Sequence, residues 1–221
     1  MDKLRLRFEK TGRAVYISHL DLMHTMQRAF SRAGCALKYS EGFNPHPQIS
    51  IALPLSVGVA SYCELMDFRL REETAPSALP ARLTAAMPEG IRVTDCYVPE
   101  RKFAELKYLR IEGRFEYDTR PIPEMTAGLN AFYQESRAPI LITRKTKRGV
   151  GESDIRPAID SLQFEAGEDA VLLRAVISAQ EPTLNPALLA EALRQLRPEL
   201  APDFERFTRI ENLRSDRNIF R

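Results

Sequence analysis

Strict alternation opens the chain: Leu4, Leu6 and Phe8 fall on one side, Lys3, Arg5 and Arg7 on the other. A period of two predicts a half-buried strand, here with an open basic face. Thr11-Gly12-Arg13 then turns the chain. Ser18, with Asp21 three residues on, reads as a helix N-cap and capping-box variant, and Ile17 and Leu22 are placed to staple the first turn. That helix runs to Gly34, where a C-cap glycine belongs, with Arg28 and Arg32 one turn apart on the face of Asp21 and Thr25. Ile49, Ile51 and Leu53 alternate as a second strand, and residues 62–70 read as a third. Residues 76–87 carry Leu79, Leu83 and Met87 at helical spacing, and 91–98 form a fourth strand.

This β-α-β-β-α-β order repeats in the second half. Residues 108–117 alternate like the first strand, and 123–136 are helical through Met125, Leu129 and Phe132. Strands at 140–146 and 170–177 flank a long polar excursion, followed by a Leu/Ala-rich helix at 186–200 and a last strand at 207–213. The predicted fold is α+β: tandem ferredoxin-like (βαββαβ) units with antiparallel sheets, over residues 1–100 and 101–221.

A hydrophobic content of 44% is enough for a real core and rules out wholesale disorder. A net charge of +2 is too mild to demonstrate a polyanion partner, so only local clustering of cations can argue for one. No long uncharged apolar run or signal-peptide pattern occurs, which predicts no membrane span and a cytoplasmic protein. Cys35, Cys63 and Cys96 fit neither a disulfide framework nor a zinc knuckle and read as reduced, buried thiols.

The chemistry concentrates in Tyr39-Ser40-Glu41-Gly42-Phe43-Asn44-Pro45-His46-Pro47, read together with Ser18-His19-Leu20-Asp21. Each proline fixes its own φ and pushes the residue before it towards extended geometry, so Asn44 and His46 project from a stiffened backbone. Phe43 either anchors this loop in the core or offers a ring for stacking. The cations are local: Arg13 at the first turn, Arg28 and Arg32 on the helix, Lys38 before the loop, and the run Arg144-Lys145-Thr146-Lys147-Arg148 leading into Gly149-Val150-Gly151. A basic hairpin arm of this kind can follow a phosphate backbone, or equally stay a solvated edge. His19 and His24 diverge on the helix, whereas His19, Asp21 and His46 converge only if the loop folds over the helix start; no metal or cofactor is expected. No iron–sulfur cysteine signature, Walker loop or dinucleotide fingerprint occurs.

These motifs, with Phe8-Glu9-Lys10-Thr11-Gly12, Arg28-Ala29-Phe30-Ser31-Arg32-Ala33-Gly34, the turn from Pro54 to Gly58 and the later Asp154-Ile155-Arg156-Pro157, resemble the bacterial radical-SAM-linked domain of unknown function. The resemblance implies a stand-alone member, lacking the radical SAM portion, from a family often encoded near ribosomal-protein and ribonuclease genes. The element order is also similar to that of the CRISPR repeat-processing endoribonucleases, without their glycine-rich loop, since 214–218 hold no glycine. The resulting expectation is an RNA-binding accessory module that presents tRNA or rRNA to a radical SAM enzyme. Phosphates would be held by Arg13, Arg28, Lys38 and the arm with Arg144, Lys145, Lys147 and Arg148, and His19 and Arg32 would also contact the RNA. Asn44 and His46 would read a nucleotide, and Asp154 with Arg156 would fix the base of the arm. This reading has the cations of both halves sharing one concavity with His46. The alternatives are metal-independent RNA cleavage with His46 as acid or base, and a protein-binding adaptor that holds no nucleic acid.

Overall fold

A computed structural model describes residues 3–135, 138–146 and 149–221. The fold is α+β, with antiparallel strands and four α-helices among the described residues. The chain forms two compact units, Met1–Glu105 together with Arg221, and Leu106–Phe220.

The first unit runs β1 (Leu4–Lys10), α1 (His19–Arg32), β2 (Ile49–Ile51), β3 (Ala60–Phe68), α2 (Leu79–Ala86) and β4 (Ile91–Tyr97). Within it β1 lies between β4 and β3, and β2 pairs with β3 beyond it, all antiparallel. The register sets Leu4 opposite Phe68 and Leu6 opposite Met66, so the alternating apolar residues of both strands meet on one face. Leu22, Met26 and Phe30 of α1 and Leu79 and Leu83 of α2 close over that face, with the Phe30 and Phe68 rings 4.9 Å apart. These side chains are essentially removed from water, each contributing about 1.5–3 kcal/mol.

Both ends of α1 follow local chemistry. Ser18 Oγ accepts from the Asp21 N–H at 3.2 Å and donates to the Asp21 carboxylate at 2.7 Å, so the capping pair closes through the hydroxyl. At the other end Gly34 takes φ +65°, its N–H bonds Ser31 O, and the Cys35 N–H bonds Phe30 O, which is the Schellman arrangement. Ser18→Ala is expected to cost about 1 kcal/mol, measured as a lower urea midpoint at unchanged slope.

The basic face predicted for the first strand is not open. Arg5 is fully buried, its Nε 2.6 Å and Nη2 3.1 Å from the two oxygens of Asp67 on β3. Nη2 also donates to Arg101 O at 2.9 Å, and the Phe103 ring covers the guanidinium at 4.3 Å. Alternation shows which residues share a face, but nothing near Arg5 in sequence reveals that segment 101–103 closes over it. Lys10, at the end of the same strand, is also buried and donates to Val15 O.

The second unit runs β5 (Tyr108–Glu116), α3 (Ile122–Asn130), β6 (Leu141–Thr146), β7 (Gly149–Asp154), β8 (Ile159–Ala166), β9 (Ala170–Ser178), α4 (Ala187–Leu196) and β10 (Phe204–Leu213). β5 lies between β10 and β9, with β8 beyond β9. The second strand of this sheet is therefore β8 and not the predicted 140–146 segment, which instead pairs with β7 as a separate two-stranded arm. Only Leu162 and Phe164 are buried in β8, and Ser161, Gln163 and Glu165, which alternate with them, made it read as polar excursion. The core is aromatic: Phe115 lies 6.0 Å from both Phe164 and Phe207, and Tyr133 lies 5.5 Å from Phe164. Tyr133 is seated by a hydrogen bond from its hydroxyl to Leu189 O, and burial pushes its phenol well above the ordinary range. The arm is tied to α4 by Gln195, whose Oε1 accepts from Thr143 N at 2.7 Å while Nε2 donates to Thr143 O at 3.1 Å.

Candidate nucleic-acid interface

The exposed stripe of α1 ends in Arg28 and Arg32, a like-charged pair at one-turn spacing that gains nothing as an isolated helix. Tertiary structure supplies the reason for Arg32, which donates through Nη2 to Ala86 O, the last carbonyl of α2, at 2.5 Å. Arg82 of α2 donates to Ala33 O, the cap carbonyl of α1, at 2.7 Å. Each arginine satisfies a carbonyl left open at the other helix's negative end. Arg28 makes no hydrogen bond or ion pair to another described residue, and its charge stands free beside them.

These side chains border two grooves of about 610 Å³ each that share Arg28 and Arg32. The first adds Arg82, Thr25 and Pro88; the second adds Arg71, Tyr39 and Gln27. Four arginines thus line the pair, and among the described residues no carboxylate lines either wall. The guanidinium of Arg71 lies 5.8 Å from the Tyr39 ring centre, a cation–π stack on the groove wall.

Tyr39 is also the root of the proline-rich loop. Tyr39 bridges Pro47, the Ser40 N–H donates to His46 O at 2.8 Å, and the His46 N–H donates to Ser40 Oγ at 2.9 Å. Gln48 N bonds Lys38 O at 2.7 Å just below. Gly42 takes φ +118° at the tip, a conformation side chains rarely adopt, and Phe43 beside it is 113% exposed. The core-anchor option for Phe43 is therefore excluded. Asn44 and His46 are exposed, and neither side chain bonds another described residue. Lys38 is exposed between Leu37 and Tyr39, two residues of the groove wall.

Other residues singled out by sequence lie apart from this groove. His19 opens α1 while Arg32 closes it, at opposite ends of a 14-residue helix about 21 Å long. The Nδ1 atom of His19 is shielded from solvent and has no hydrogen-bond partner among the described residues. Arg13 is exposed in the single turn Gly12–Tyr16 and lines neither groove. Among the described residues no group of three or more His, Cys, Asp or Glu gathers as a metal site, so the convergence of His19, Asp21 and His46 does not occur. The three cysteines are buried and none is in a disulfide among the described residues; burial, with Asp95 beside it, pushes the Cys96 thiol up to about 12.

In the second unit Arg144 is exposed on β6. Lys147 and Arg148 lie outside the described residues, as does the side chain of Lys145. Asp154 and Arg156 are engaged at the arm's base: Asp154 Oδ1 accepts from Ile140 N and Arg156 N, both at 2.9 Å, and Arg156 donates to Ala138 O and Tyr133 O. Arg71 and Arg82 were missed by sequence reasoning. Arg82 sits among small residues in 80–86, and only the meeting of two helix ends reveals its place.

Fold and site together define an α+β protein whose first unit carries an arginine-lined groove beside a loop closed at Tyr39–Pro47 that exposes Phe43. The chain belongs to the bacterial family described as "Uncharacterized protein conserved in bacteria (DUF2344)", whose model matches residues 3–186. No curated protein matches the sequence. In structure it is similar to a chain in the crystal structure of a Cbf5-Nop10-Gar1 complex, at 10% identity and a TM-score of 0.50 over 95% of this chain. That match spans 48% of the longer chain, about half its length, and the likeness is one of fold alone. Weaker similarities are to an unknown protein from Galdieria sulphuraria (10% identity, 93% of this chain and 95% of that one, TM-score 0.27). Thermus thermophilus Cse3 bound to an RNA representing a pre-cleavage complex follows (14%, 93% and 98%, TM-score 0.22). Among the described residues no helix is long and apolar enough to cross a membrane.

Proposed function

We propose that the chain is an RNA-binding accessory module that presents tRNA or rRNA to a radical SAM partner enzyme. One observation carries the nucleic-acid part: Arg28, Arg32, Arg71 and Arg82 line adjoining grooves that no carboxylate lines among the described residues. In a chain whose net charge is only +2, such a local excess is what a polyanion reads. The choice of tRNA or rRNA, and of a radical SAM enzyme as partner, rests on the motif resemblance of residues 17–21, 39–47 and 154–157. We also read both units as ferredoxin-like, supported by their common strand order of fourth, first, third, second. A mobility-shift titration with bulk tRNA across a salt series tests the proposal. Affinity should fall steeply as salt rises; binding indifferent to salt, or none at low salt, overturns it.

A second reading, the protein-binding adaptor, is favoured by Tyr16 and Leu20, which stand 73% and 70% exposed on either side of Ser18 and His19. That patch flanks the start of α1, away from the arginines at its end, so the two readings occupy different surfaces. The cleavage alternative makes a separate prediction. If His46 is an acid or base, His46→Ala should lower cleavage of small RNA in the presence of chelator by at least about 100-fold. In an accessory module the same substitution leaves a background rate unchanged.

A further inference from the structure

We propose that this site takes an unpaired stretch of RNA and not a duplex, with Tyr39 and Phe43 stacking on its bases. The inference rests on the nucleic-acid reading above and adds the form of the ligand. Phe43 is the most exposed large apolar side chain among the described residues, yet it is not on a loose segment. The Tyr39–Pro47 bridge and the two Ser40–His46 hydrogen bonds close the loop beneath it, and Gly42 sets the tip. A ring held out by a closed loop loses little conformational freedom on binding, so its contact area is available to a ligand at low entropic cost. Tyr39 offers a second ring at the loop's root, and that ring lines the same groove as Arg28, Arg32 and Arg71. One ring and three guanidiniums therefore share a groove, and the loop rooted at that ring carries the second, exposed ring of Phe43; stacking rings beside cations accept bases and phosphates together. Bases inside a helix are already stacked on one another and hide their faces, so only splayed, single-stranded or loop nucleotides can use these rings.

The chain contains no tryptophan, so Phe43→Trp places a single indole at the loop tip. Titration of that variant with an oligouridylate should quench the indole, whereas a duplex RNA of equal length should leave the emission unchanged and bind at least about tenfold more weakly. Phe43→Ala should weaken oligouridylate binding about 5- to 150-fold with the salt slope of the parent chain. Unchanged emission at saturating oligouridylate, or equal affinity of Phe43→Ala, overturns the stacking proposal while salt-dependent binding keeps the nucleic-acid reading intact. Binding of neither RNA at low salt overturns both. An indole that responds to a partner enzyme and to no RNA overturns the proposal in favour of a protein-docking loop.

Discussion

Asp67→Ala is expected to destabilise the first unit by about 3–5 kcal/mol, the largest effect of any single substitution considered. Asp67 accepts from Arg5 through both of its carboxylate oxygens, and the Arg5 side chain has no exposed surface through which water could replace them. The Arg101 carbonyl and the Phe103 ring would remain, but neither carries the opposite charge. Lys3 also reaches Asp67, at 3.1 Å, yet its side chain is 44% exposed and that arm of the pair adds little. Urea denaturation reads the effect as a lowered midpoint. The double substitution Arg5→Met with Asp67→Leu separates charge loss from packing: removing both charges together should restore most of the stability. A double variant as unstable as Asp67→Ala would show that the pair is needed for its shape.

The second large effect concerns the groove. Arg28→Glu combined with Arg71→Glu is expected to weaken RNA binding about 100-fold near 0.1 M salt and to flatten the log–log salt dependence by roughly two. Neither guanidinium makes a hydrogen bond or ion pair to another described residue, and Arg71 stacks on the Tyr39 ring, so the urea midpoint should hold. Arg32 and Arg82 behave differently because each also closes a helix end, and alanine there should reduce stability and affinity together. A salt slope that survives the double reversal would remove this groove from consideration as the phosphate track.

Much of the local architecture was legible along the chain because it depends on neighbours in sequence. Ser18 with Asp21, and Gly34 after Arg32, specify the two ends of α1 through hydrogen bonds that span five residues or fewer. The apolar alternation of β1 likewise placed Leu4, Leu6 and Phe8 inward. What sequence could not show is pairing across long separations. Arg5 finds Asp67 sixty-two positions away, and Arg82 finds Ala33 forty-nine away. β8 escaped notice because a strand with one face towards solvent, carrying just two buried side chains, hides its period among polar residues. Phe43 was left open by its type, which suits a core anchor as well as a stacking ring, and the closed loop around it holds the ring in water.

The clasp of Gln195 on Thr143 has a bearing on self-association. A two-stranded ribbon offers its outer N–H and C=O groups as a template on which another polypeptide can extend the ladder. Here one side-chain amide occupies both groups of Thr143 and imitates a neighbouring strand for the length of a single residue. Such a plug interrupts the row near its middle, so this margin of β6 is a poor seed for fibrillar growth even though the ribbon stands largely in solvent.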